Sequence, residues 1–177
     1  MATIIRKQPF FDHKSMVSFH GQSVWVKADQ IIVWVSIGEA NWEELAPQAP
    51  CIPSILDIGT NHEFVVHERL LTQWAGVHAQ QLPPGRKTKL RGHELPQYGA
   101  HVWLHPYQRE AYSNPPPFRF RLDPGIATIP IDREKDFPVQ LPLLGLRALR
   151  RAKLHVTIDC ARQQLTIRTQ RRFSLFG

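Results

Sequence analysis

The chain has 177 residues, 42% of them apolar, 21% charged and 10% aromatic, with 15 prolines and 10 glycines. That is enough for one packed domain and too short for two full ones, and the proline content disfavours a helical bundle. The formal net charge is +7, and all of it sits in residues 147–177, which hold eight of the 22 basic and one of the 15 acidic residues.

The N-terminal segment has no apolar stretch long enough for a secretory signal, and the longest apolar run, Ile31 to Val35, is far short of the ~20 residues that span a bilayer. Two cysteines, Cys51 and Cys160, exclude a disulfide scaffold and a four-cysteine zinc site. The expectation is a soluble, cytoplasmic protein without a membrane partner.

Residues 1–22 show no period and read as a loop or irregular arm. Val24 and Val26, a polar Ala28-Asp29-Gln30 and the apolar run Ile31 to Ile37 suggest a hairpin whose second strand is buried on both faces. Pro53 to Ile58 reads as a short apolar strand that runs into an acidic residue, and Phe64-Val65-Val66 as another. Leu70, Leu71 and Trp74 at helical spacing predict a helix over 67–75, stopped by Gly76. The segment from Lys89 to Leu104, with Gly92 and Gly99 inside it, reads as a hairpin with a long, mobile tip.

Pro115-Pro116-Pro117 marks an extended linker. Phe118, Phe120 and Leu122 alternate with arginines as a half-buried strand, and Ile126 to Ile131 forms another. A short helix follows Leu143-Leu144-Gly145, with Leu146 and Leu149 inward and Arg147, Arg150 and Arg151 outward. Leu154 to Asp159 and Leu165 to Ile167 close the chain as a hairpin. The expected organisation is an N-terminal arm (1–23), one mostly β domain with two short helices (24–169) and a basic tail (170–177).

Asp57 is the sharpest local feature. A carboxylate directly after Ile55-Leu56 is drawn toward the interior, where an unpaired charge costs several kcal/mol. Gly59 permits a tight turn that brings backbone N–H groups to that carboxylate, and the Thr60 hydroxyl is placed to hold one of its oxygens. An ordinary turn aspartate and a catalytic one both fit these residues.

The chain resembles the retropepsin-like aspartic proteases, the single-lobe relatives of retroviral protease. Three features carry the resemblance: Leu56-Asp57-Ile58-Gly59-Thr60, similar to the family's catalytic strand turn; the hairpin with Gly92, His93, Glu94 and Leu95, placed where the family has its flap; and Leu143-Leu144-Gly145, which looks like the motif that packs beneath the catalytic turn. The resemblance spans roughly residues 24–169. It implies a single-lobe acid-protease β-barrel and an endopeptidase that acts as a homodimer on a peptide or protein substrate, without cofactor or metal. Asp57 would be the catalytic residue of each chain, Gly59 would permit the turn, Thr60 would orient the outer carboxylate oxygen, and Leu144 and Gly145 would support the turn. Asp123-Pro124-Gly125 lacks the apolar strand and the Thr of a second copy, so one chain supplies one aspartate. Ile58 departs from the family, which carries Thr or Ser there to lock the two turns together.

That departure keeps a second function in view: an inactive dimeric module of the same fold that binds a partner or a polyanion through its basic C-terminal region; the expectation for that basic face itself is weak polyanion binding without sequence preference. Among the other candidates, His101 and His105 on one strand lie more than about 10 Å apart at ~3.3 Å per residue, too far to share a metal. His62-Glu63 and His67-Glu68 could ligate a metal, with solvated histidines as the alternative. Both cysteines read as buried thiols, and Ser54 lacks a placed histidine for a triad.

Overall fold

In the computed structural model, residues 2–106, 116–123, 125–138 and 140–170 are described. Their strands in chain order are β1 (Thr3–Pro9), β2 (Ser15–Phe19), β3 (Gln22–Val26), β4 (Ile32–Glu39), β5 (Ile52–Asp57), β6 (Phe64–His67), β7 (Thr88–Leu90), β8 (His93–Leu95), β9 (Gln97–Tyr98), β10 (Ala100–His105), β11 (Phe118–Arg121), β12 (Ile126–Ile129), β13 (Leu143–Gly145), β14 (Leu154–Asp159) and β15 (Gln164–Thr169). Helix α1 (Glu68–Ala75) follows β6, and α2 (Leu146–Arg151) follows β13. None of the described helices is long and apolar enough to cross a membrane.

Eight strands form one sheet in the order β11-β10-β4-β5-β13-β6-β12-β9. Its inner strand β4 carries Val33 and Val35 with no exposure and Ile37 at 1%, as an apolar run buried on both faces requires. The chain's ends meet in a second sheet, β1-β15-β14, where Ile5 faces Ile167. β2–β3 and β7–β8 are separate two-stranded hairpins. A main core lies under the large sheet, and a smaller cluster of Val65, Leu95, Ala127, Ile129, Phe137 and Leu143 roots the β7–β8 hairpin.

The arrangement that positions the site is a crossing. β5 and β6 are consecutive in sequence but do not pair; β13 lies between them, parallel to β5 and antiparallel to β6. The connection 58–63 must therefore pass over the end of β13. It does so at Gly145, whose N–H donates to the Glu63 carbonyl at 2.9 Å. A β-carbon on residue 145 would stand 1.9 Å from the His62 carbonyl oxygen, so only glycine fits beneath the loop.

Helix α1 and the β14–β15 hairpin form where the sequence predicts them, and Gly76 caps α1 in the left-handed region at φ +68°. Four expectations are corrected. Residues 3–9 and 15–19 are strands rather than an irregular arm. β3 pairs with β2 instead of β4, because His20 and Gly21, both at positive φ, make a two-residue turn that joins Phe19 to Gln22. The 90–104 stretch is not one long hairpin: Arg91 and Gly92, at φ +49° and +85°, close β7 onto β8 in another two-residue turn, and β10 leaves to pair with β4 and β11. The barrel is not closed among the described residues, since the large sheet ends at β11 and β9. Pro115 and residues 171–177, most of the basic tail, lie outside the described residues.

Candidate active site

Asp57 is the last residue of β5, half-buried, in register with Gly145 of β13. Its Oδ1 accepts the Gly59 N–H at 2.9 Å, the tight turn that Gly59 permits. The Thr60 hydroxyl does not follow expectation. It accepts the His62 N–H at 3.4 Å, and its methyl group faces Gly145. Leu144 is fully buried and pairs with Leu56 on one side and Phe64 on the other, so the strand beneath the turn is held from both edges.

The carboxylate opens onto a cleft of about 490 Å³. Ile55, Leu56, Leu141 and Leu143 give it an apolar wall. Trp25, Lys27, Asp29 and Gln30 line it from β3 and the following turn, and Arg91 reaches it from the tip of the β7–β8 hairpin. Of the hairpin residues singled out in the sequence, Gly92 forms the turn and Glu94 is exposed beside Lys87 at 3.5 Å. His93, the first residue after the turn, stacks edge-on against Phe137, and Leu95 at the base is fully buried, so both hold the hairpin to the core.

Ile58 is 58% exposed and lines both this cleft and a second hollow with Thr60, Asn61, Leu146, Arg147 and Arg150. Leu146, expected to face inward, is 43% exposed, and Ala148 and Leu149 hold α2 to the core instead. Arg151 is not a free solvent-facing cation. Its guanidinium donates to the Glu63 carboxylate and to the Asp123 backbone carbonyl, and it reaches the Asp123 carboxylate at 3.2 Å. Glu63 is buried and also accepts the Asp123 N–H at 2.9 Å. The hydrogen bond it donates to Glu63 and the charge of that carboxylate raise the Arg151 pKa above the usual arginine value. The basic face is thus partly neutralised from within.

The remaining candidates settle into the fold. Ser54 is buried and donates to the Pro142 carbonyl at 3.0 Å. His105 is buried with its Nε2 2.8 Å from the Ser36 hydroxyl, which donates to the Pro50 carbonyl. Among the described residues no three His, Cys, Asp or Glu side chains gather as a metal site would require. Cys51 is buried, and burial pushes its thiol pKa up to about 12, whereas Cys160, expected to be buried, is exposed.

Sequence reasoning missed Trp25 and Arg91 as cleft residues. A signal existed for Trp25, because the alternation Val24-Trp25-Val26 sets it opposite the inward valines and leaves it 55% exposed. Compared with protein-family models, curated proteins and solved structures, the chain gives no match.

Proposed function

We propose that the chain is a retropepsin-like aspartic endopeptidase that works as a homodimer, each copy contributing Asp57. The observation that carries the reading is the crossing of residues 58–63 over Gly145, which sets Asp57 at a strand end in a cleft that the hairpin tip also lines. One carboxylate in an open cleft is a weak catalyst. Two carboxylates brought together cannot both ionise, so they share one proton. The ionised one takes a proton from water as the oxygen attacks the peptide carbonyl, and the protonated one gives its proton to the carbonyl oxygen. The C–N bond then breaks as its nitrogen is protonated. Exposed Ile58 and Leu146, neighbours around one hollow beside the Asp57 turn, are apolar surface that a second copy would cover.

Ile58 also favours a second reading, a dimeric module of the same fold without peptidase activity. An isoleucine cannot make the hydrogen bonds that would fix two facing turns, although it can pack between them. The test is cleavage of a peptide library by the natural chain and by Asp57→Asn, with the dimer monitored in both. Cleavage lost in Asp57→Asn with folding and dimerisation intact supports the peptidase. Equal cleavage by both forms places the activity elsewhere, and a dimer that never cuts leaves the binding module.

A further inference from the structure

The β7–β8 hairpin pairs with no other strand among the described residues, so its position at the Asp57 cleft depends on side-chain contacts. Leu90 and Leu95 pack on the small core cluster. The other anchor is polar. His62, half-buried in the loop that follows the Asp57 turn, places Nδ1 3.5 Å from the Thr88 hydroxyl. The same residue's N–H donates to Thr60, and its carbonyl oxygen lies directly over Gly145. One residue thus touches the catalytic turn, the strand beneath it and the first strand of the hairpin. Arg91 at the tip is three residues beyond Thr88, roughly 10 Å at ~3.3 Å per residue, so a small change at the base is carried to the cleft.

We propose that His62 is a positioning residue, the tether that sets the β7–β8 hairpin at the Asp57 cleft. A neutral imidazole offers one N–H and one lone pair. The Thr88 hydroxyl can donate to the lone pair at Nδ1 or accept an N–H there. Burial holds the His62 pKa below the ordinary histidine value; the Lys89 carbonyl opposes this, and the Arg147 guanidinium on α2 adds to the lowering. Glu63, whose carboxylate is engaged by Arg151 and the Asp123 N–H, also lies 3.9 Å from the Arg147 Nε and offsets part of that charge. A group whose pKa is lower in the tethered form favours that form above about pH 6.5 and weakens it as the pH falls. The hairpin is therefore held near neutral pH and loosens in acid. The consequence for cleavage rests on the peptidase reading; the tether itself does not.

Hydrogen exchange of the 88–95 amides in the full chain, corrected for intrinsic rates, tests this between pH 5.5 and 7.5 without needing activity. In the natural protein, protection of these amides is expected to fall with pH while β4 and β5 stay unchanged. His62→Phe is expected to exchange in 88–95 roughly two- to tenfold faster at pH 7.5, the equivalent of one lost hydrogen bond, and to lose the pH dependence. His62→Asn, which keeps a hydrogen-bonding group near the Nδ1 position but does not titrate, is expected to restore protection with a flat profile. Thr88→Val removes one partner of the tether and should reproduce part of the effect even if His62→Phe does not fold. Unchanged exchange and an unchanged pH profile in His62→Phe or, failing that, in Thr88→Val overturn the proposal, whether or not the protein cuts peptides.

Discussion

Gly145→Ala isolates the crossing that places Asp57. Residue 145 has φ −86° and ψ 154°, ordinary extended backbone, so alanine meets no conformational strain there. The obstacle is space. The new β-carbon stands 1.9 Å from the His62 carbonyl oxygen, 2.7 Å from the Thr60 methyl carbon and 3.0 Å from the His62 carbonyl carbon. Ordinary contact begins near 3.4 Å, so the loop or the strand must move by about 1.5 Å. Backbone held by the Gly145–Glu63 hydrogen bond and by paired strands on both sides resists this, and overpacking of such a site costs typically about 1–3 kcal/mol and sometimes more. Gly99→Ala is the control. Its nearest neighbours are 3.6–3.7 Å away, so the same methyl fits there and should be neutral or stabilising by up to about 1 kcal/mol. Urea unfolding of both variants gives the comparison. A loss of at least about 2 kcal/mol in Gly145→Ala, against none in Gly99→Ala, is expected. Equal stabilities would refute the close crossing, and with it the placement of Asp57. A variant that folds but shifts the turn by ~1 Å should also lose on the order of a hundredfold in any cleavage rate.

Ile58→Thr is expected to raise peptidase activity, because two symmetric hydroxyls would add hydrogen bonds worth ~0.5–1.5 kcal/mol each across the dimer; peptide cleavage at equal dimer concentration is the check, and a slower variant would make Ile58 a working replacement. Arg151→Met is expected to destabilise by about 2–3 kcal/mol, below the ~3–5 kcal/mol of a fully buried pair because the arginine side chain is 40% exposed and partly screened. Glu63→Gln should cost less in the same urea titration, since it leaves its uncompensated charge on the exposed partner. A thiol reagent at pH 8 should label Cys160 alone in the native chain and both cysteines in denaturant, because Cys51 is buried with its pKa pushed up to about 12.

How much of this was legible in the sequence follows from what each signal encodes. The apolar run of β4, the Leu70-Leu71-Trp74 spacing of α1 and the alternation of β14 report burial directly, and the structure places those elements where they are expected. Pairing is different, because it depends on which strand arrives. Nothing local in Thr3–Pro9 says that it will meet β15 more than 150 residues later, and β3 found β2 through an inconspicuous His20-Gly21 turn. The Asp57 turn was legible because Gly59 and the preceding apolar strand are local, and Gly145 stood out through its place after two leucines. The partners of Arg151 were not legible: helical spacing put it on an outward face, while Glu63 and Asp123 come from loops far away in sequence. His62 was hidden for the same reason, since its role depends on a hairpin that begins 26 residues later.

The central claim is that two copies each supply one Asp57 to a single site. Mixing the natural chain with Asp57→Asn at constant total protein, under conditions that let dimers exchange, tests it most directly. If the site needs an aspartate from both copies, an equal mixture retains about one quarter of the cleavage rate, because only one dimer in about four then pairs two natural chains. A rate of about one half, falling in simple proportion to the natural chain, would mean that each copy cuts alone and would contradict the account.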